Sequence, residues 1–534
     1  MTLPASGNSI SLDQIHVELG ESSGGTVALG DADVRALASD TDGAIAMNQF
    51  FGLSAAGAWL VVLTIDSGIA AVPTNALYDV WGAASKSGDG TYILTSKFGM
   101  NQHNSDSSNV NPEFNITKIN ADGSVAWNKR IDGVADKIYN PSIHVALTSG
   151  ADEIFVWWRS LNGVAYQTDN RRRLVKLNSS GVEQVEREYD VPSVSEFIAT
   201  QPETSKIYDD GTYIYIFGTM YGSGISGSTV GSHGAWWSKI KKSDGAWTDE
   251  FISIEGSGSN WGRGAGFIDG SGNMLQPSSS TTAEKGLNFN KYASNKSKVF
   301  EKKYSYGGTS YPYTIQPYGT SWVGGNMILA TNNYRVSETG FTNGNYPGLM
   351  KLQGSDGAVL FWVTAASAGV GFSFYGNVQD SSGNIYAIGR GIVSGDSKIS
   401  AFVAKFNSSG VKQWNFALGY NDDSMHVMGA GIDMDASGNL YCLINMYGNS
   451  AQASVLKIPE GQLGSAIGGL TAGQHGIYKI TNTDFAFATV SGTITVRDAA
   501  TRTIGAVTQT SDASASDITV AAETGGGVTL VDIG

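Results

Sequence analysis

Cysteine, histidine and charge are all scarce in this sequence, and each shortage excludes a class of protein. The 534 residues include a single cysteine, Cys442, so no disulfide can form within the chain. The six histidines are never spaced as paired metal ligands, so we expect neither a metal site nor a cofactor. Charged residues are 15% of the chain, against roughly a quarter in an average soluble domain. A disulfide-rich or metal-dependent protein is therefore not expected.

The charge that is present is mostly negative, with a formal net charge of −14. Such a chain repels a phosphate backbone, so we expect no nucleic-acid partner. No apolar run approaches the roughly 18 residues of a membrane span, and we expect no membrane insertion. The first residues lack a secretory pattern, so synthesis in the cytoplasm is expected. The one basic run, Arg171–Arg173, is predicted to lie on a solvated strand edge.

Glycine, by contrast, is abundant. The chain contains 69 glycines, and hydrophobic residues make up 41% and aromatic residues 10% of it. This is ample apolar material for a core, and wholesale disorder is excluded. Many glycines with many aromatic residues favour a β-rich protein with numerous tight turns.

The central region repeats one motif seven times: a lysine between apolar residues, followed by a Gly-containing turn and a strand that often carries Trp or Phe. Successive lysines are 58, 63, 52, 60, 54 and 52 residues apart. A second element, an Asp/Asn-Gly turn before an apolar strand, precedes each lysine and supplies the positive φ angles of tight hairpins. Four antiparallel strands repeated seven times predict an all-β, seven-bladed β-propeller. The repeated lysines are Lys118, Lys176, Lys239, Lys291, Lys351, Lys405 and Lys457.

The N-terminal region differs, because it carries short helical signals. Ser11 to Gln14 form a capping box, and Gly20 ends the helix that it starts. Three copies of a small apolar lead-in followed by a short helix occur within residues 1–53. Short helices are marginal alone, so this region is predicted to be a docking module. Its apolar docking residues are predicted to be Leu12, Ile15, Leu19, Val34, Leu37, Phe50 and Phe51.

Four pieces of this region, in order, resemble an N-terminal signature of tailed-phage virion proteins. They are Leu3–Ile15, Glu18–Gly20, Asp33–Ala38 and Ile45–Gly52, and the region that they span is about a tenth of the chain. Met47 and Asn48 depart from the family pattern. In that family the signature precedes unrelated C-terminal domains of tail-fibre, baseplate and other virion components. The resemblance therefore implies a virion structural context, in a phage particle made in a bacterial host.

These patterns divide the chain into four parts. We predict a docking module at 1–53, a linker or closing strand at 54–74, the propeller at 75–463, and a small C-terminal β module or partner-dependent segment at 464–534. The last part is poor in charge and rich in Gly, Ala, Ser and Thr.

Few residues suggest chemistry. The Asp-x-Ser-Gly-Asn turns at Asp269, Asp380 and Asp435 place oxygens close together, but they lack the further acids of a calcium loop, so turn formation is favoured over calcium binding. The repeated lysines are expected to pack their aliphatic stems on the neighbouring blade. This interpretation is favoured over one in which they form a ring of ligand-binding groups. An aromatic cluster is interleaved with small polar residues and is a candidate glycan-stacking or partner surface, although its rings also suit a blade core. It comprises Tyr304, Tyr306, Tyr311, Tyr313, Tyr318 and Trp322.

The favoured interpretation is a structural component of a tailed-phage virion without enzymatic activity. It would be a tail-fibre or baseplate-associated protein in several copies, whose N-terminal module contacts other virion proteins and whose rim loops contact a host glycan or receptor. One alternative is a polysaccharide-degrading tail enzyme, because a propeller rim can host two convergent acids. Another is a head or capsid decoration protein. Fold alone decides among none of these.

Overall fold

The computed structural model describes the strands and turns between residues 59 and 532. Residues 1–58 lie outside the described part, and with them the predicted helical docking module and its seven apolar residues. Most connections on one face of the molecule also lie outside it. Up to residue 477, the undescribed connections are 65–78, 85–89, 97–112, 121–122, 134–135, 149–150, 163–170, 191–205, 222–232, 255–259, 262–265, 281–285, 307–313, 336–343, 366–372, 393–397, 421–425, 448–451, 471 and 476–477.

Seven antiparallel sheets form the seven blades of an all-β propeller, which confirms the predicted fold class. The first strand, β1 (Trp59–Thr64), belongs to the last blade, so blade 1 begins with β2. Blade 1 consists of β2 (Asp79–Ala84), β3 (Gly90–Ser96), β4 (Glu113–Asn120) and β5 (Val125–Gly133). Blade 2 consists of β6 (Asp136–Thr148), β7 (Ala151–Asn162), β8 (Arg171–Asn178) and β9 (Glu183–Asp190). Blade 3 consists of β10 (Lys206–Asp209), β11 (Tyr213–Tyr221), β12 (His233–Lys241) and β13 (Trp247–Ile254).

Blades 4 to 6 continue this pattern, with the inner strand of blade 4 split into two short pieces that both pair with the next strand. Successive blades contact each other, and β2 of blade 1 contacts blade 7, so the ring is closed. The strands are β14 (Asn260–Trp261), β15 (Phe267–Ile268), β16 (Met274–Ser280), β17 (Gly286–Tyr292), β18 (Lys298–Tyr306); β19 (Thr314–Val323), β20 (Asn326–Arg335), β21 (Gly344–Gln353), β22 (Val359–Ala365); β23 (Ser373–Gln379), β24 (Ile385–Ile392), β25 (Ile399–Phe406), β26 (Lys412–Tyr420).

Blade 7 is assembled from both ends of the described chain. Its first three strands are β27 (His426–Met434), β28 (Leu440–Tyr447) and β29 (Gln452–Ile458), and its fourth is β1. The pairing Trp59↔Lys457 gives Trp59 the same place beside the repeated lysine that Trp414 has in blade 6. The N-terminal strand therefore completes the seventh repeat.

After blade 7 the chain passes through two 3₁₀ turns, Glu460–Gln462 and Ala466–Gly469, and then adds two strands to the outside of blade 6 and one to the outside of every other blade. The prediction places a separate module at 464–534, whereas its strands are hydrogen bonded to the blades; the division into folding units stays a prediction. The added strands are β30 (Gly473–His475) and β31 (Tyr478–Asn482) on blade 6, β32 (Phe487–Thr489) on blade 5, β33 (Ile494–Asp498) on blade 4, β34 (Thr503–Gly505) on blade 3, β35 (Ser511–Ala513) on blade 2, β36 (Ile518–Ala522) on blade 1 and β37 (Gly527–Asp532) on blade 7.

The two faces of the ring follow from this strand order. We call the face that carries the tight connections between first and second strands and between third and fourth strands the turn face, and the opposite face the loop face. In six blades the ladder shifts register immediately after the repeated lysine, as at Lys405/Phe406, where the strand enters its tight turn. Within the described residues, no helix has the length and hydropathy needed to cross a membrane.

Candidate functional site

Three of the six aromatic residues predicted to form a binding surface are placed inside the blades. Tyr304 is fully buried, and its hydroxyl donates to the carbonyl oxygen of Gly357 in the next blade. Trp322 stacks on Phe267, with ring centroids 4.3 Å apart, and Tyr318 is 6% exposed. The structure therefore does not gather these three rings on the surface. Tyr311 and Tyr313 lie outside the described residues, and the side chain of Tyr306 is not described.

The three consecutive arginines were expected at a solvated strand edge, and this expectation is wrong. They lie in β8, which pairs with β7 on one side and β9 on the other. Arg173 is 3% exposed and forms an ion pair with Glu188, with Nη2 2.7 Å from Oε2. Its charge is therefore neutralised inside blade 2.

Four of the repeated lysines in the described strands, Lys176, Lys291, Lys351 and Lys405, donate to a carbonyl oxygen of the next blade, as the packing interpretation predicts. The Nζ of Lys291 donates to the carbonyl oxygen of Gly354 at 3.0 Å, and that of Lys405 donates to the carbonyl oxygen of Leu463 at 2.7 Å. Both acceptors lie on the turn face of the following blade. In Lys405 the ammonium also lies over the ring of Tyr386, and burial lowers its pKa, although the charge of Asp380 opposes this shift.

The Asp-x-Ser-Gly-Asn sequences form the predicted turns. In Asp380, Oδ1 accepts from the backbone N–H groups of Ser382 and Asn384, while Oδ2 accepts from the Asn384 amide and the Tyr386 hydroxyl. Asp435 repeats this arrangement in blade 7. Four hydrogen bonds satisfy each carboxylate within its own blade, and burial together with the Asp380 charge raises the pKa of Tyr386.

These two turns line a pocket of about 530 Å³ on the turn face between blades 6 and 7. Glu460 and Lys405 also line it, but the ammonium of Lys405 is already held by Leu463. Because the carboxylates of Asp380 and Asp435 already accept hydrogen bonds within their own turns, they do not form a free pair for acid–base chemistry in the pocket. Within the described residues, no group of three or more His, Cys, Asp or Glu side chains is arranged to hold a metal ion.

A different group of polar side chains lies on the loop face of the same boundary between blades 6 and 7. Arg390 stands near the end of β24, directly opposite Ser373 at the start of β23, so their side chains share one face of blade 6. The guanidinium lies 5.5 Å from the ring centroid of Tyr375, and its Nη1 lies 3.4 Å from the sulfur of Met428 in blade 7. Among the described residues, the buried Nε of Arg390 and the buried hydroxyl of Ser373 have no hydrogen-bond partner, and Ser373 is 1% exposed.

Two more basic residues complete this cluster, which we call the cationic site: Ser373, Arg390, Lys398 and His426. Lys398 immediately precedes β25, and His426 is the first residue of β27, so both lie at the loop face. Burial, and then the charges of Lys398 and Arg390, lower the pKa of His426. Within the described strands neither Arg390 nor Lys398 has an ion-pair partner.

The hydrogen bonding of His426 defines what it offers to a ligand. Its Nδ1 accepts from the backbone N–H of Ile399 at 3.1 Å. With the pKa lowered, the neutral ring then carries its proton on Nε2, which is left as a donor. A guanidinium, an ammonium, a hydroxyl and an imidazole N–H form a set of donors suited to a carboxylate or sulfate group.

The cationic site was missed by the sequence analysis, which followed repeats and aromatic clusters. Arg390 is one basic residue within the apolar strand of Ile385–Ile392, and nothing adjacent to it marks a function. Its position, where an interior strand residue would ordinarily be apolar, is the one local signal that was available.

No protein-family model matches the chain, and no curated protein matches it. Solved structures do resemble it. An ulvan lyase, a polysaccharide lyase, is 10% identical with a TM-score of 0.40, and the match covers 61% of this chain and 83% of that one. The phage phi92 endosialidase is 10% identical with a TM-score of 0.36, covering 77% and 70%. An α-L-arabinofuranosidase from Fusarium graminearum is 11% identical with a TM-score of 0.36, covering 66% and 98%.

At 10–11% identity the likeness to these structures is one of fold. The comparison nevertheless contradicts the prediction of a protein without enzymatic activity, because all three structures carry the names of glycan-degrading enzymes.

Proposed function

We propose that this chain binds and degrades an anionic polysaccharide, whose acidic group is held at the cationic site on the loop face between blades 6 and 7. The observation that carries the proposal is that Arg390 forms no ion pair with a carboxylate of the described residues, in a chain with a net charge of −14. An acidic protein has many carboxylates with which to neutralise a structural arginine, as it does for Arg173. A cation left without one is suited to an anion from outside.

The site has the geometry of a recognition surface. The Arg390 guanidinium contacts the ring of Tyr375 and the sulfur of Met428, and these contacts limit its rotamers before a ligand arrives. A bound carboxylate or sulfate would accept from Arg390 and from the Nε2–H of His426. In a uronic acid, neutralising the carboxylate also makes the adjacent C–H more acidic.

The experiment incubates the purified protein with acidic and neutral polysaccharides of matched length. Reducing ends report hydrolysis, and the ultraviolet absorbance of unsaturated uronic acids reports elimination. We expect cleavage of acidic chains, and a loss of cleavage and binding in Arg390→Ala. Lys241→Ala is the matched control, because it removes one positive charge from an exposed turn on the opposite face. Equal treatment of acidic and neutral chains, or no cleavage of either, would refute the proposal.

A second part of the proposal concerns location, and it rests on the N-terminal sequence resemblance alone. We propose that residues 1–53 attach the chain to other proteins of a phage tail, where the propeller meets host surface polysaccharide. Deletion of residues 1–53 is expected to abolish incorporation into particles while leaving cleavage by the propeller intact. Incorporation that survives the deletion would remove the virion assignment without affecting the cationic site.

A further inference from the structure

The strands added after blade 7 are not needed to complete any blade. Four strands per blade are supplied between residues 59 and 458, and the repeated lysine, its bulge and the tight turns all lie within them. The strands β31 to β37 are each three to six residues long and pair with the outermost of those four. They therefore add an outer layer to a fold that is already closed.

These strands make one full circuit of the ring. They meet the blades in the order 6, 5, 4, 3, 2, 1 and 7, which is the reverse of the order in which the blades are built. Their first residues are 478, 487, 494, 503, 511, 518 and 527, so they are spaced by 9, 7, 9, 8, 7 and 9 residues. About eight residues per blade can extend over roughly 27 Å, enough to place one short strand and reach the next edge. The spacing follows the blades, and no blade is skipped.

The circuit ends at blade 7, in which strands from both ends of the described chain pair and close the ring. In blade 7 the N-terminal strand β1 pairs with β29 over five residues and with β37 over six, from Trp59↔Asp532 to Thr64↔Gly527. β1 is thus enclosed between two strands from the other end of the chain. The ring cannot open at blade 7 by detaching β1 outward unless β37 leaves first.

We propose that residues 478–532 form a continuous belt that locks the propeller ring, and that this continuity sets how slowly the ring opens. Each short strand alone contributes only a few hydrogen bonds, each worth about 1 kcal/mol net. A strand that detaches, however, stays tethered to neighbours on both sides, so its effective concentration near its own edge stays high and it rebinds. Opening then requires several belt strands to be released together, which raises the unfolding barrier.

The test cuts the belt without removing a strand. A specific protease site is inserted between β33 and β34, at residues 499–502, and unfolding rates in guanidinium are compared before and after cleavage. We expect the uncut variant to unfold like the natural chain and the cleaved one about 10-fold faster. A site inserted between β11 and β12 controls for the nick itself. Equal rates for the cut and uncut belt would overturn the proposal.

A covalent staple gives the opposite test. Val62 and Thr529 are Cα partners in β1 and β37, so the double variant Val62→Cys with Thr529→Cys can link the belt to the closing strand. The native Cys442 is fully buried, and burial raises the pKa of its thiol, so it does not compete. We expect the staple to restore the slow unfolding of the belt-cleaved protein. If the disulfide forms but the belt-cleaved protein does not unfold more slowly, the proposal that the belt locks the ring would also be contradicted.

Discussion

On the turn face of the seam between blades 6 and 7, Asp380 and Asp435 each accept four hydrogen bonds from their own blades. On the loop face, Arg390 has a sulfur and an aromatic ring as neighbours, and its Nε has no hydrogen-bond partner. Both faces are built from the same strands. The aspartates of the turn face accept hydrogen bonds from their own blades, whereas Arg390 and Lys398 of the loop face form no ion pair with the described residues. The comparison separates charged residues that stabilise the fold from charged residues that would recognise a ligand. Four substitutions test it.

The largest effect is expected at the turn face. Asp435→Ala removes an acceptor of four hydrogen bonds at a site 5% exposed, so we expect the free energy of unfolding to fall by about 3 kcal/mol, measured by denaturant titration. Asp244→Ala in an exposed turn is the control and should cost less than about 1 kcal/mol. Binding of acidic polysaccharide by the folded Asp435 variant should not change; a parallel loss of affinity would erase the distinction between the faces.

The reverse pattern is expected for Arg390→Ala. Losing a charge-assisted contact worth about 2 kcal/mol should weaken binding of an acidic oligosaccharide by roughly 30-fold, measured by calorimetry. Stability should change little, since Arg390 makes no ion pair within the described residues. Arg390→Lys keeps the charge but not the planar fork, and should recover part of the affinity. A variant that unfolds readily yet binds normally would show that Arg390 is structural.

Lys405→Met tests whether a buried cation at the turn face is purely structural. Met preserves most of the stem, and Leu463 retains the hydrogen bond that its carbonyl accepts from the Trp414 indole at 3.2 Å. We expect a loss of about 1 kcal/mol in unfolding free energy, with binding and cleavage unchanged. Impaired binding would instead place a ligand in the pocket between the two aspartate turns.

The smallest effect is a pH dependence of binding. The pKa of His426 is lowered from 6.5, so the ring is neutral near pH 7 and gains a charge only as the pH falls through that lowered value. Protonation adds a positive charge beside Arg390 and Lys398, so affinity for an acidic glycan should rise about 3-fold at the acidic end of the range. His426→Gln should give a flatter profile. Unchanged pH dependence in that variant would exclude His426 from the site.

Much of the turn face was predictable because its chemistry is local. The partners of Asp435 in the turn are Ser437 and Asn439, two and four residues away, and Tyr441 follows on the next strand. The same short pattern recurs at Asp269 and Asp380, which is why repeats in the sequence revealed both the turns and the number of blades.

The loop-face site and the belt were not predictable in this way. Arg390 and His426 are 36 residues apart, and neither lies in a recognisable motif. The C-terminal strands looked like a separate module, because strands of three to six residues carry no sign of which edge they will join. The aromatic cluster was predicted as a binding surface for a similar reason. An aromatic ring such as that of Tyr304 can lie on a surface or in a core, and only the packing distinguishes the two.

The sequence by itself determined the seven repeats, the turns between their strands and the scarcity of charge that strands packed on both faces require, since all of these depend on residues within a few positions of each other. Only the tertiary structure decided which strand closes the ring, which edges the C-terminal strands cover and which charges pair with one another among the described residues. Those outcomes depend on contacts such as Trp59↔Asp532, across almost the whole described chain, and such distances in sequence leave no local pattern.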